Sequence, residues 1–273
     1  MNSDITRDNP TCFVFLIDQS HSMAQTFGDR AQGQTKAEGV AQALNDLLRN
    51  LIITCSKADG IRNYFDVAVI GYGRSVGPAW AGPLQGQYLV PIREVAENFS
   101  RLAKSPADLE DGAQVLEMPV WVEPTAGGST PMCEALGICS RIVDTFISRN
   151  RYCSPPVVVH ITDGEATDGN PASAMTLLTD LASSNGHVTL FNVHLSSSRD
   201  AVPTSFPDTS DALPDAFARL LFERASVLSP FMRSVAWSTG LTLSRDARAF
   251  VLNADPSLMV LALEIGTRPA SLY

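Results

Sequence analysis

The sequence predicts an α/β domain with a doubly wound, mainly parallel central sheet and helices on both faces. Short apolar runs rich in β-branched residues indicate buried strands. Longer segments with apolar residues at helical spacing indicate helices that each bury one face. Strands and helices alternate along the chain, which is typical of right-handed crossover connections in a parallel sheet.

Four apolar runs are predicted as the main strands, and two of them are followed by aspartates. The runs cover residues 12–17, 64–72, 157–162 and 187–195. Asp18 follows the first run directly, and Asp163 follows the third. In an open α/β sheet, ligands bind beyond the carboxyl ends of the strands. These two aspartates are therefore candidates for a binding site.

The helices are predicted between these strands. Residues 36–55 place apolar side chains on one face, at Val40, Ala43, Leu44, Leu47, Leu48 and Leu51. Residues 131–149 follow the same pattern, and Pro131 suits the first turn of a helix. Further helices are predicted over 171–184 and 214–228.

The end of the chain is predicted to add one more strand and one more helix. The strand covers 249–253 and the helix covers 255–265. Asp255 suits the cap of that helix, with Pro256 at its first position.

Two stretches interrupt the alternation. Residues 73–123 are rich in Gly and Pro and are predicted to form an elaborated edge hairpin with a small helix. Residues 196–214 are rich in Ser, Asp and Pro and predict a long surface loop. Neither stretch has the composition of a domain linker, so we expect residues 1–273 to form a single domain. Loops on a rigid scaffold commonly carry specificity, so we expect partner specificity in these two stretches.

Composition and charge narrow the class of protein. The chain has 273 residues, of which 45% are hydrophobic and 18% charged, as in a globular domain. The formal charge of −9 argues against a nucleic-acid partner, because phosphate binding requires an excess of Lys and Arg. No apolar run reaches the roughly 18 residues of a membrane-spanning helix, and the polar N-terminus does not resemble a secretory signal. We expect a cytoplasmic protein with no membrane partner.

The five cysteines predict neither a disulfide framework nor a zinc site. Their number is odd and they contain no C-x-x-C pair. Buried free thiols in a reducing cytosol are the expected state.

Three segments at predicted strand ends and helix starts carry oxygen-bearing side chains. The first is D-Q-S-H-S at 18–22, the second is G-G-S-T-P at 127–131, and the third is D-G-E at 163–165. Carboxylate and hydroxyl oxygens without His or Cys suit a hard cation such as Mg²⁺, Mn²⁺ or Ca²⁺. Two carboxylates and three neutral hydroxyls leave at least one coordination position of such an ion open for a further acidic group.

These segments resemble the metal-ion-dependent adhesion site of von Willebrand factor A-type (VWA) domains. Asp18, Ser20 and Ser22 match its D-x-S-x-S motif, Thr130 matches its second loop, and Asp163 matches its third. The resemblance covers nearly the whole chain and implies a Rossmann-like VWA fold that binds Mg²⁺, with Mn²⁺ or Ca²⁺ as alternatives. It also implies that the three hydroxyls bind the ion directly, and that the two aspartates act largely through bound water.

The resemblance implies a metal-dependent protein–protein interaction module. In this family the open position of the metal takes an Asp or Glu of the partner protein. The segment G-G-S-T-P-M-C-E-A-L at 127–136 is similar to intracellular bacterial VWA proteins encoded with tellurium-resistance kinases and phosphatases. An adaptor in a bacterial regulatory, stress-response or conflict system is therefore implied, with a kinase, phosphatase or AAA+ ATPase assembly as partner.

Several nearby side chains are expected at the rim of the partner site. His21 stands where the family usually has Gly, so its imidazole either borders the metal or lies in solvent or on the edge hairpin. The other rim residues are Gln19, Ser129 and Glu165. Asp168 is interpreted as a solvated turn residue, with a supporting role behind the ligands as the alternative.

Other classes fit the motifs less well. An enzyme of the haloacid-dehalogenase type needs a second Asp where this chain has Ser20. The P-loop and the dinucleotide-binding fingerprint are absent from the sequence. We therefore expect that the protein is not an enzyme. A metal-dependent hydrolase and a scaffold with an incidental metal site remain the alternatives.

Overall fold

The structure is a computed structural model that describes residues 9–26, 33–104, 117–195, 202–254 and 256–268. Strands and helices alternate through most of these residues. The strands are β1 Thr11–Asp18, β2 Ser56–Lys57, β3 Gly60–Ile61, β4 Phe65–Tyr72, β5 Val76–Pro78, β6 Val90–Pro91, β7 Arg101–Lys104, β8 Glu117–Val120, β9 Val157–Thr162, β10 Ala182–Ser183, β11 Gly186–His187, β12 Thr189–His194, β13 Thr204–Ser205 and β14 Phe250–Leu252. The helices are α1 Lys36–Cys55, α2 Ile92–Glu97, α3 Met132–Arg149, α4 Ala172–Asp180, α5 Ala216–Arg224, α6 Pro230–Ser238 and α7 Pro256–Thr267.

The central sheet is mainly parallel, as predicted. Within the described residues it has eight strands in the order β13-β14-β12-β9-β1-β4-β5, and β6 also pairs with β4. The strands β14, β12, β9, β1 and β4 run parallel to one another. The strands β5, β6 and β13 are antiparallel and lie at the two edges. The predicted α/β fold class is confirmed.

The central strand β1 is buried along its whole length because helices cover both faces of the sheet. Phe13, Phe15 and Ile17 face one apolar cluster, which includes buried residues of α1, α2, α6 and α7. Val14 and Leu16 face a second cluster, which includes buried residues of α3, α4 and α5. The alternation follows from the two-residue period of a strand. This double covering explains why β1 is apolar at nearly every position.

The structure differs from the sequence predictions at several element boundaries. The helix predicted over 171–184 ends at Asp180, because residues 182–187 turn back as the β10–β11 hairpin. His187 belongs to that hairpin, so the strand predicted over 187–195 begins at Thr189. The helix α6 was not predicted. Its local signal is present, since Ser229 accepts a hydrogen bond from Met232 N at 3.2 Å and caps the helix.

The two irregular stretches contain more regular structure than a hairpin and a loop. The 73–123 stretch carries β5, β6, α2 and the separate β7–β8 hairpin. In the 196–214 stretch, Thr204–Ser205 pairs with β14 as an edge strand, which corrects the prediction of a plain surface loop.

The proposed cap Asp255 lies outside the described residues. The single domain over 1–273 stays a prediction. Among the described residues, no helix has both the length and the apolar character needed to cross a bilayer.

Asn45 of α1 joins the edge region to the rest of the fold. Its Oδ1 accepts hydrogen bonds from the backbone N–H groups of Trp121, at 2.9 Å, and Val122, at 3.1 Å. Its Nδ2 donates to Val122 O at 2.9 Å. One side chain therefore satisfies three backbone groups of the segment that follows β8.

We predict that Asn45→Ala lowers the free energy of unfolding by about 2 kcal/mol, because it leaves partly buried backbone groups without partners. Chemical denaturation followed by circular dichroism measures this loss. Asn50→Ala on the same helix is the control, because Asn50 contributes a backbone oxygen that alanine retains. Equal losses in the two variants would contradict the role assigned to Asn45.

Candidate metal centre

The first two sequence motifs meet at the carboxyl ends of the central strands. Gly127 N donates a hydrogen bond to Gln19 O at 2.7 Å, and His21 N donates to Gly128 O at 3.1 Å. The loop after β1 is therefore bound, backbone to backbone, to the loop that leads into α3. This pairing brings the D-x-S-x-S segment and the Thr130 loop to the same edge of the sheet.

Two glycines allow these loops to approach so closely. A Cβ at Gly73 would lie 2.5 Å from Gln19 O. A Cβ at Gly128 would lie 2.5 Å from Arg74 N, and Gly128 also has a φ of +86°. Both positions therefore require glycine, because a side chain would push the loops apart.

Asp18 is fully buried and held in a fixed orientation at the end of β1. Its Oδ1 accepts a hydrogen bond from Ser20 N at 2.8 Å, and its Oδ2 accepts from Thr162 Oγ1 at 2.8 Å. Burial raises the pKa of Asp18, the hydrogen bonds from Ser20 and Thr162 lower it, and the nearby Asp163 raises it. The pKa of Asp18 is raised overall, so the folded protein disfavours the charged carboxylate.

The two serines of the first motif form a hydrogen-bonded chain to Asp163. Ser20 Oγ lies 3.0 Å from Ser22 Oγ, and Ser22 Oγ donates to Asp163 Oδ1 at 2.6 Å. The other oxygen of Asp163 accepts a hydrogen bond from Lys36 Nζ at 2.8 Å. Four of the predicted site residues, including Asp18, are thus in one connected cluster, together with a lysine that the sequence analysis missed.

Thr130 is nearly buried and is fixed by the loop that follows β9. Its N–H donates to Thr167 Oγ1 at 3.0 Å, and its carbonyl accepts from Thr167 N at 2.9 Å. The second and third motif loops are therefore bound to each other, as the first and second are.

Asp168 has a structural role that the interpretation as a solvated turn residue did not include. Its carboxylate accepts hydrogen bonds from Cys133 N at 3.0 Å and Glu134 N at 2.9 Å, at the start of α3. Partial burial raises its pKa, but the hydrogen bonds from Glu134 and Cys133 outweigh this and lower the pKa overall. The side chain is exposed, yet it caps the helix that follows Thr130.

The four predicted rim residues occupy different environments. His21, Ser129 and Glu165 are exposed. Gln19 is half-buried, and its carboxamide lies over Gly71, where a side chain would overlap it. Gln19 therefore packs on β4, while the other three remain accessible at the surface.

A buried polar network lies beneath the cluster. Tyr72 Oη lies 2.7 Å from His160 Nε2, and His160 Nδ1 lies 3.0 Å from Asn192 Oδ1. Asn192 Nδ2 donates to Leu221 O of α5 at 2.7 Å. Burial lowers the pKa of His160 to about 4, so the imidazole is neutral near pH 7. A neutral ring that donates from Nδ1 and accepts from Tyr72 satisfies every bond in the network.

The donor set fits a small hard cation. The 3.0 Å separation of Ser20 Oγ and Ser22 Oγ matches the edge of an octahedron of oxygens placed about 2.1 Å from Mg²⁺. In the described part of the chain, no three His, Cys, Asp or Glu side chains come together as a metal site. Any site here therefore depends on hydroxyl oxygens as well as on Asp18 and Asp163.

Known proteins that are similar to this chain are found among solved structures. No protein-family model matches the chain, and no curated protein does. Among solved structures, the chain is similar to the vWF domain of the type V pili tip protein Mfa5 from Porphyromonas gingivalis, with 13% identity and a TM-score of 0.34. That match covers 58% of this chain and 39% of the other. A structure of three N-terminal domains of the same protein gives the same identity and TM-score, and 20% of it is covered. The chain thus spans less than half of either matched chain.

We predict that Asp168→Ala lowers the free energy of unfolding by about 1 kcal/mol through loss of the α3 cap. The pKa of Asp168 is lower in the folded protein than in the unfolded chain, where it is about 3.9. The contribution of the charged side chain to the free energy of unfolding is therefore present above the unfolded pKa, and it is lost as the pH falls through the folded pKa. Urea denaturation at pH 7 and at pH 3 measures both effects. Asp144→Ala, on the exposed face of α3, removes the same charge and is the control. A loss at pH 3 as large as at pH 7 would contradict the assignment.

Proposed function

We propose that the chain is a VWA-type interaction module whose bound divalent cation, Mg²⁺ with Mn²⁺ or Ca²⁺ as alternatives, coordinates an acidic residue of a partner protein. The observation that carries the proposal is the hydrogen-bonded cluster of Ser20, Ser22 and Asp163, with Asp18 beside it. The residues of the D-x-S-x-S motif and of the third loop come together although they are distant in the sequence. They supply the oxygens that a hard cation requires.

Each residue has a distinct part in the proposed site. The hydroxyls of Ser20, Ser22 and Thr130 would hold the ion directly, and Asp18 and Asp163 would hold it through bound water. When bound, the ion supplies a Lewis-acidic position that attracts a carboxylate. Asp18 is suited to an indirect role because both of its oxygens already accept hydrogen bonds from the protein.

The partner and the compartment belong to the same proposal. The exposed His21, Ser129 and Glu165 lie within two residues of the motif residues in the sequence and would contact the partner around its acidic residue. All five cysteines are free thiols, which favours a reducing compartment such as the cytoplasm. An adaptor role with a kinase, phosphatase or AAA+ ATPase assembly rests on the sequence resemblance.

We predict that Mn²⁺ and Mg²⁺ bind the EDTA-stripped protein with one-to-one stoichiometry, and that Asp18→Asn weakens this binding about 10- to 100-fold. Isothermal titration calorimetry measures the dissociation constants. Asp66→Asn is the matched control, because Asp66 is a partly buried strand aspartate that pairs with Cys12, at the opposite end of β1 from Asp18. Binding that survives in Asp18→Asn, or is equally weak in both variants, would overturn the proposed site.

We predict that acetate tightens the binding of Mn²⁺, because a carboxylate completes the coordination and the charge of the ion. The dissociation constant for Mn²⁺ is compared in sodium acetate and in sodium chloride of equal ionic strength, with a correction for acetate binding to free Mn²⁺. No difference between the two salts would argue against a carboxylate ligand. Turnover of a phosphoester by the Mn²⁺-loaded protein would instead support the hydrolase alternative.

A further inference from the structure

Lys36 is buried beside the candidate metal centre. Its side chain is 6% exposed, and its Nζ lies 2.8 Å from Asp163 Oδ2, whose own side chain is 0% exposed. The ammonium group also lies 3.4 Å from Gln25 Oε1. Lysine is almost never fully buried unless it is paired with an opposite charge. The ion pair with Asp163 therefore accounts for the burial of Lys36.

The position of Lys36 is unfavourable for a cation on local grounds. Lys36 is the first residue of α1, where the helix dipole favours negative charge. The rest of this helix start follows the usual preference, since Thr35 and Glu38 form a capping box. A cation at this end of the helix is stabilised by Asp163, which lies at the end of β9.

Lys36 changes the charge balance of the site. Asp18 and Asp163 together carry two negative charges when ionised, and Lys36 reduces the sum to one. His194 lies behind the site, with Nδ1 3.3 Å from Thr162 O, and burial lowers its pKa, so it adds no charge near neutral pH. Counted over these three side chains, a divalent ion then leaves one net positive charge. One carboxylate from a partner brings that sum to zero.

Resting on the proposed function, we propose that Lys36 makes the site selective for a metal ion together with an acidic partner. The ammonium group repels the incoming cation and competes with it for Asp163, so it weakens the binding of metal by itself. The same positive charge favours a carboxylate ligand once the metal is bound. Metal and partner therefore bind cooperatively, and each increases the affinity for the other by the same factor.

The test compares Lys36→Met with Lys57→Met, which removes the same charge from the exposed β2 strand. Isothermal titration with Mn²⁺ is carried out in sodium chloride and in sodium acetate of equal ionic strength. We expect Lys36→Met to bind Mn²⁺ at least about tenfold more tightly than the wild type in chloride. We also expect acetate to tighten Mn²⁺ binding less in Lys36→Met than in the wild type. Lys57→Met should match the wild type in both salts.

Two further variants keep the result interpretable. Lys36→Gln is a neutral variant whose amide group can still donate to Asp163, and it should also bind Mn²⁺ more tightly. Lys36→Arg keeps the positive charge and should not bind Mn²⁺ more tightly than the wild type. Circular dichroism and thermal unfolding establish that each variant is folded before titration.

The outcomes separate the inference from the proposed function. If the wild type binds Mn²⁺ but the neutral variants bind it equally or more weakly, the role of Lys36 is overturned and the metal site stands. If Lys36→Arg binds Mn²⁺ as tightly as the neutral variants, charge is not the cause and the inference also falls. If neither the wild type nor any folded Lys36 variant binds Mn²⁺ in either salt, the proposed function itself fails.

Discussion

Two buried carboxylates at the ends of adjacent parallel strands impose the main constraint on this molecule. Burying an ionised carboxylate is costly unless charged or hydrogen-bonding groups compensate it. Asp18 is compensated by the backbone of Ser20 and by Thr162 of β9, and Asp163 by Ser22 and by Lys36 of α1. These partners come from different elements, so the site becomes satisfied only when β1, β9 and α1 are assembled. The fold and the site therefore depend on each other.

Much of the fold follows from local patterns in the sequence. The bounds predicted for α1 match those observed, because its helical spacing is a pattern of neighbouring residues. The strands β1 and β9 were predicted because burial on both faces makes them apolar at nearly every position. The placement of Asp18 and Asp163 at strand ends follows from the same runs. Their convergence follows from the parallel pairing of β1 with β9.

Two features of the site that escaped prediction depend on contacts between distant residues. Lys36 and Asp163 are 127 residues apart, and no motif near either residue identifies the other as its partner. Asp168 resembles an ordinary turn residue until α3 is placed against it, 34 to 35 residues away. The sequence held one signal of this unpredicted ion pair, which is a lysine at the first position of a helix, against the preference of the helix dipole.

The two faces of the sheet connect to the candidate site in different ways. On the α5 side, Tyr72, His160 and Asn192 form a network of neutral groups, which resists rearrangement because its hydrogen bonds are buried. On the α1 side, the connection is a lysine on a flexible four-carbon stem, at the start of a helix that packs against α7. A change in the charge around Asp163 therefore shifts the Lys36 side chain on the α1 side more easily than it shifts the polar network on the α5 side. The last helix, α7, packs against the helix that carries Lys36 and therefore lies on this side of the sheet.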